Sequence, residues 1–205
     1  GALTLEIIKQ IIWSYDVDSN LLVGSWSYPC YIFPFQLCST PIYVSLICLF
    51  LKDNSVRKSL LSYLSYITIW GSLLTIILPD SCFVETILVN IHTMYLHCGS
   101  FVISVYLLMT KEVEISINNL LRSLAVFVIM VLIALSMNVS LYSFIPEGES
   151  FNMFYISPFY TTHLPIFNIV QTNCPYIVYI LFYILAFVIG GSVIYTLGKL
   201  FNRKK

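Results

Sequence analysis

The chain has 205 residues, a formal net charge of zero, 59% hydrophobic residues and only 10% charged ones. A soluble domain carries about 25% charged residues, and the mean hydropathy here is +0.88, so the composition excludes a soluble globular domain and points to an integral membrane protein. With 10 Lys and Arg against 10 Asp and Glu, there is no basic surplus to suit a nucleic acid.

Six apolar segments follow in order, over about 1–15, 34–51, 59–78, 84–109, 119–142 and 175–200. They predict an all-α polytopic membrane helix bundle of about six transmembrane segments, a single integral membrane domain over 1–205. Segment 1–15 is short of the roughly 20 residues needed to span. The chain also opens at Gly1 without Met and without the leader of a signal peptide. The reading is an N-terminal truncation that removes part of this helix and an earlier one; a short interfacial helix is the alternative.

The charges are sorted between the connections. Those after the first, third and fifth segments hold Asp16, Asp18, Asp80, Glu85, Glu147 and Glu149 without Lys or Arg. Those after the second and fourth hold Lys52, Arg57, Lys58, Lys111 and Arg122, and the tail adds Lys199, Arg203, Lys204 and Lys205. Short loops rich in Lys and Arg stay in the cytoplasm. The alternation predicts a multi-pass protein of the cell (plasma) membrane with a cytoplasmic C-terminus and three acidic loops outside.

Segment 34–51 carries Phe33-Pro34-Phe35-Gln36-Leu37-Cys38-Ser39-Thr40-Pro41 at its start. Pro34 suits a first helical turn, which places Cys38 about one turn into the helix and Pro41 at a kink beside it. A thiol near a helix N-terminus feels a positive dipole that favours the thiolate, while burial in lipid acts the other way. In segment 59–78, Ser62, Ser65, Thr68, Ser72 and Thr75 recur at helical spacing and read as a packing stripe.

Segment 84–109 carries the most informative pattern. Thr86, Asn90, Thr93, His97, Ser100 and Ser104 fall on one helical face. An ionisable imidazole at membrane depth marks a functional site by default. His92 lies about 140° around the helix from His97 and so off that stripe. Two readings stand for the stripe: half of a Cys38–His97 pair, with His92 as second choice of base, or a seam between helices with a hydrogen-bonded His. Asn90 and Gln36 are the candidate oxyanion donors. Every carboxylate is read as sitting at a segment end or in a loop, which argues against a proton- or ion-coupled carrier.

The outer loop 143–174 is rich in Phe and Tyr and carries Pro146, Pro158 and Pro165. Such a loop reads as a cover over the outer half of the bundle, or as an interfacial aromatic belt. Six Cys form no CxxC or zinc pattern; a disulfide among Cys30, Cys82 and Cys174 stays open. No phosphate loop, metal motif or dinucleotide fingerprint is present. The expectation is no cofactor and no metal, with membrane lipids as partners.

The run Phe33-Pro34-Phe35-Gln36-Leu37-Cys38-Ser39 resembles the Leu-Pro-Leu-His-Leu-Cys signature of the YwaF-like bacterial membrane proteins. Gly71 before Pro79-Asp80, His92 and His97 ahead of Tyr106, Asn152-Met153-Phe154, and Pro175-Tyr176 match in the same order. Gln36 replaces the motif histidine, and Leu74 stands where a glutamine is usual. These proteins are similar to a eukaryotic membrane group that includes a phospholipid acyltransferase with a Cys–His pair. The resemblance implies Cys38 as nucleophile, His97 as base, and hydrolysis or transfer of a lipid acyl group. A non-catalytic assembly protein and a small-solute transporter are the alternatives.

Overall fold

A backbone N–H or C=O left unpaired in hydrocarbon is costly, so apolar segments of this length pair their backbones internally as helices. The computed structural model describes residues 1–18, 23–77 and 86–202. Seven helices form among them: α1 (Ala2–Ser14), α2 (Thr40–Phe50), α3 (Ser55–Ile77), α4 (Ile87–Met109), α5 (Ile117–Leu141), α6 (Pro165–Asn173) and α7 (Tyr176–Asn202). Of these, α3, α4, α5 and α7 are long and apolar enough to cross a membrane. A hairpin of β1 (Tyr15–Asp18) and β2 (Val23–Trp26) follows α1, with Tyr15 opposite Trp26. Asp80, Cys82, Glu85, Arg203, Lys204 and Lys205 lie outside the described residues.

The first two predicted segments form shorter helices than the other four. α1 has 13 residues and α2 has 11, about 20 and 16 Å at 1.5 Å per residue. The predicted start of the second helix at residue 34 is corrected to Thr40. Residues 37–39 form a turn, the Thr40 hydroxyl donates to the Leu37 carbonyl at 2.7 Å, and Pro41 sits in the first helical turn. Pro41 therefore opens the helix rather than kinking it.

The centre of the bundle is α3, against which α2, α4, α5 and α7 all pack. Tyr63, Leu64, Tyr66 and Ile67 are buried on it, and so are Ser62, Ser65, Thr68 and Ser72. The Ser62 and Ser65 hydroxyls donate to the Lys58 and Leu61 carbonyls one turn back, while the buried Thr68 hydroxyl has no partner. Across it, Ser104 of α4 donates to the Leu64 carbonyl at 2.5 Å. At Gly190 of α7 an added Cβ would overlap the Trp70 indole, so the missing side chain sets that approach. Outside the core, α5 and α7 are each only 28% buried over their most apolar windows and turn Leu132, Leu181 and Leu185 outward, a surface suited to lipid.

Contacts also pair the connections. Arg57 at the start of α3 meets Glu112 before α5 at 3.2 Å, which brings the second and fourth connections together. The Cys30 N–H donates to Glu149 Oε2 at 3.1 Å, which joins the first to the fifth. The loop 143–174 is an inserted cover that also contains α6. Phe151, Met153, Phe154 and Ile156 are at most 3% exposed. Phe154 and Tyr155 have φ of 58° and 59°, a left-handed conformation that costs roughly 1–2 kcal/mol per residue. Hydrogen bonds from other elements hold them there: Phe154 N–H to Gln36 Oε1 at 2.9 Å, and Tyr179 hydroxyl to the Tyr155 carbonyl at 2.6 Å.

Candidate functional site

Cys38 occupies the turn two residues before α2. The turn is held on two sides. On one side, the Gln36 carboxamide donates to the Asn152 carbonyl at 3.0 Å and accepts from the Phe154 N–H, while Phe35 stacks on Phe154 at 5.6 Å. On the other, the Thr40 and Tyr63 hydroxyls are 2.6 Å apart. Cys38 is half-buried. The loop behind Gln36 is tied down by Asn138 of α5, whose carboxamide accepts from the Met153 N–H at 2.7 Å and donates to its carbonyl at 3.0 Å.

A second polar cluster lies where α1 crosses α4. Glu6 of α1 is only 3% exposed. Its Oε1 meets Lys9 Nζ at 2.6 Å and accepts from Gln10 Nε2 at 2.9 Å. Its Oε2 stands 2.9 Å from His92 Nε2 of α4, an ion-pair distance without the alignment of a hydrogen bond. Gln10 extends the cluster by donating to the Ile32 carbonyl at 2.8 Å and accepting from the Tyr28 hydroxyl at 2.9 Å. The segment leading to Cys38 is therefore tied to α1 near Ile32 and to the inserted loop at Gln36.

His92 and His97 are both buried, although His92 lies off the stripe of His97. Because α4 packs on α3 on one flank and on α1 on another, its buried surface is wider than one stripe and takes in Val89, His92, Leu96, His97, Ser100 and Ser104. Asn90 and Thr93 are half-buried, and the Asn90 N–H donates to the Thr86 carbonyl in the first turn.

Reading carboxylates as confined to segment ends and loops overlooked Glu6. Its signal was a Glu with Lys and Gln three and four residues on, inside an apolar run, where ionised groups persist only with partners. Asn138, an amide far from the polar first turn of an apolar helix, was a similar signal. The other thiols differ from Cys38. Cys30 and Cys174 are unpaired, and any bridge through Cys82 lies outside the described residues. Burial, and then the Glu149 carboxylate beside it, push the Cys30 thiol up, which disfavours its thiolate. Two shallow apolar depressions, one lined by Ile11, Ile12, Tyr15 and Trp26 and one along α7 from Val188 to Leu197, open on the outer surface away from Cys38.

No curated protein and no solved structure matches the chain. The model of one family matches residues 2–195, nearly the whole length. With its four spanning-length apolar helices, the chain is a multi-pass membrane protein that belongs to the TMEM164 family.

Proposed function

We propose that this protein carries out thiol-dependent lipid acyl chemistry, as a hydrolase or an acyltransferase, with Cys38 as nucleophile and His97 as base. The observation that carries the reading is the fixed turn of Cys38. A thiol is held at the N-terminal end of α2, in a turn anchored to the loop 143–174 through Gln36 and to the buried Tyr63 through Thr40. A helix N-terminus favours the thiolate. The partnership of His92 with Glu6 supports His97 over His92 as base. The likeness of the Cys38 run to the YwaF-like proteins points the same way, and lipid is the substrate at hand for a bundle with this outer surface.

In this reaction His97 takes the Cys38 proton and the thiolate attacks an ester carbonyl, forming a C–S bond. The tetrahedral intermediate collapses with cleavage of the C–O bond, and the departing alkoxide takes the proton back from His97. Water or the hydroxyl of a second lipid then attacks the thioester as His97 takes its proton; the C–S bond breaks, the acyl group leaves as a carboxylic acid or a new ester, and the Cys38 thiolate recovers the proton from His97. Asn90 and the second N–H of Gln36 are the candidate oxyanion donors. The loop 143–174 is bonded to this turn at Gln36. The membrane is read as the plasma membrane with the C-terminus cytoplasmic. The Arg57–Glu112 contact supports placing the second and fourth connections on one side.

Purified protein in liposomes, followed by lipid mass spectrometry and acyl-probe labelling, tests the reading. Cys38→Ala and His97→Ala abolish turnover on this reading, and probe labelling that persists without Cys38 overturns the nucleophile. One observation favours a second reading, a proton-coupled carrier: Glu6 is a buried carboxylate against a spanning helix. Solute flux into liposomes that depends on Glu6 and survives Cys38→Ala would select it. A non-catalytic assembly role is left if neither activity depends on these residues.

A further inference from the structure

We propose that the β1–β2 hairpin is an interfacial anchor: Tyr15 and Trp26 seat it in the headgroup layer of the membrane and fix the depth of the end of α1. The inference goes beyond the acyl-transfer reading and does not depend on it.

An exposed apolar ridge leads along α1 into the hairpin. Leu3, Ile7 and Ile11 follow one another at i, i+4 and i+8, and all three are exposed, while Glu6 turns toward α4. Tyr15 continues that line. The strand pairing sets Trp26 opposite Tyr15, with the rings edge to face and their centroids 5.2 Å apart. Trp26 is 68% exposed. Ridge and ring pair meet at the shallow depression between Ile11, Ile12, Tyr15 and Trp26. Gly24 makes room for this arrangement, because an added Cβ there would overlap the Tyr15 ring.

Two constraints leave one layer for the hairpin. Among the described residues its sheet has only these two strands, so it carries open backbone edges, and open edges do not occur in the hydrocarbon core. Water suits it no better, because a lone two-stranded hairpin is marginal in water and this one exposes an aromatic pair. The headgroup layer meets both constraints: it takes up the rings and still hydrates the Trp N–H and the Tyr hydroxyl. That layer is also continuous with the lipid against the α1 ridge. The hairpin is fastened to its neighbours. The Ser27 N–H donates to the Ser14 carbonyl at 2.9 Å, the Tyr28 hydroxyl donates to Gln10, and Tyr31 meets Trp13 edge to face at 5.3 Å. An anchor at Trp26 therefore sets the level of the end of α1 and of the segment that follows it.

The test is tryptophan fluorescence of the full chain in phosphatidylcholine vesicles. The difference between the parent and Trp26→Phe isolates the Trp26 signal from those of Trp13 and Trp70. Lipids brominated near the glycerol end of their chains are expected to quench that signal about twofold more than lipids brominated near the chain ends. Aqueous iodide is expected to quench it less than about half as strongly as it quenches free tryptophan. Iodide quenching as strong as for free tryptophan puts the hairpin in water and overturns the proposal. Strongest quenching by the chain-end bromines puts it in the hydrocarbon core and overturns the proposal as well. A signal quenched by neither means that a second copy or another protein covers Trp26, and it too overturns the proposal. Should Trp26→Phe not fold, Trp26→Tyr supplies the same difference.

Discussion

Two polar clusters penetrate this apolar bundle, and they are built on opposite principles. The amide cluster uses neutral groups only: Asn138 and Gln36 each meet loop backbone with both ends of a carboxamide. The α1–α4 cluster uses charges, and it leaves Glu6 Oε2 and His92 Nε2 close together without an aligned hydrogen bond. A fully satisfied neutral network gives rigidity at a buried site. A charged one that is incompletely satisfied adds little stability for its desolvation cost. The difference suits the first cluster to holding the Cys38 turn, and leaves the second as the cluster that stability explains least.

The largest effect that would break this comparison is at Asn138. Asn138→Leu orphans the buried N–H and carbonyl of Met153, each worth roughly 1–3 kcal/mol, so destabilisation of about 2–5 kcal/mol is expected in thermal unfolding in detergent. A loss below about 0.5 kcal/mol would remove the structural role of the amide cluster. Gln36→Leu is next. It cuts two hydrogen bonds at a half-buried site and is expected to cost about 1–3 kcal/mol. It should also raise protease cleavage within the loop 143–174, because the left-handed Phe154 loses its anchor.

The charged cluster should behave differently. Replacing Glu6 and His92 together, as Glu6→Leu with His92→Leu, removes both members of the buried pair and leaves Lys9, whose side chain is 16% exposed, to reach the surface. Stability within about 1 kcal/mol of the parent is expected in the same unfolding measurement. A cost like that of Asn138→Leu would make both clusters structural and erase the distinction between them.

The long helices were legible because composition and 3.6-residue periodicity act over 20 residues or more, and the matches at α3, α4, α5 and α7 follow from that. The short elements were not. α2 starts at Thr40 because Thr40 and Gln36 draw the preceding backbone into a turn, a tertiary effect that the prolines alone do not encode. Pro165 was visible as a loop proline, yet it is also the first residue of α6, as proline at a helix start allows. At the candidate site, Cys38 and the α4 histidines stood out as reactive groups in apolar runs. The place of His92 did not, because one polar stripe implies one neighbour and α4 has two. The cover was legible from its aromatic residues, but its depth depends on Asn138, an element away in sequence.

The smallest expected effect sharpens the comparison by supplying a surface control. Arg57 and Glu112 form an ion pair with side chains 28% and 48% exposed, where exposed pairs contribute roughly 0.2–1 kcal/mol. A double-mutant cycle of Arg57→Ala and Glu112→Ala should return a coupling in that range in dilute buffer. At about 1 M salt the Debye length falls to about 3 Å, and the coupling should fade. The same cycle on Glu6→Gln and His92→Gln should keep its coupling in salt, because both groups are buried and mobile ions do not reach between them. Equal salt sensitivity at the two sites would mean that water reaches Glu6, and the distinction between a buried charged cluster and a solvated surface pair would fail.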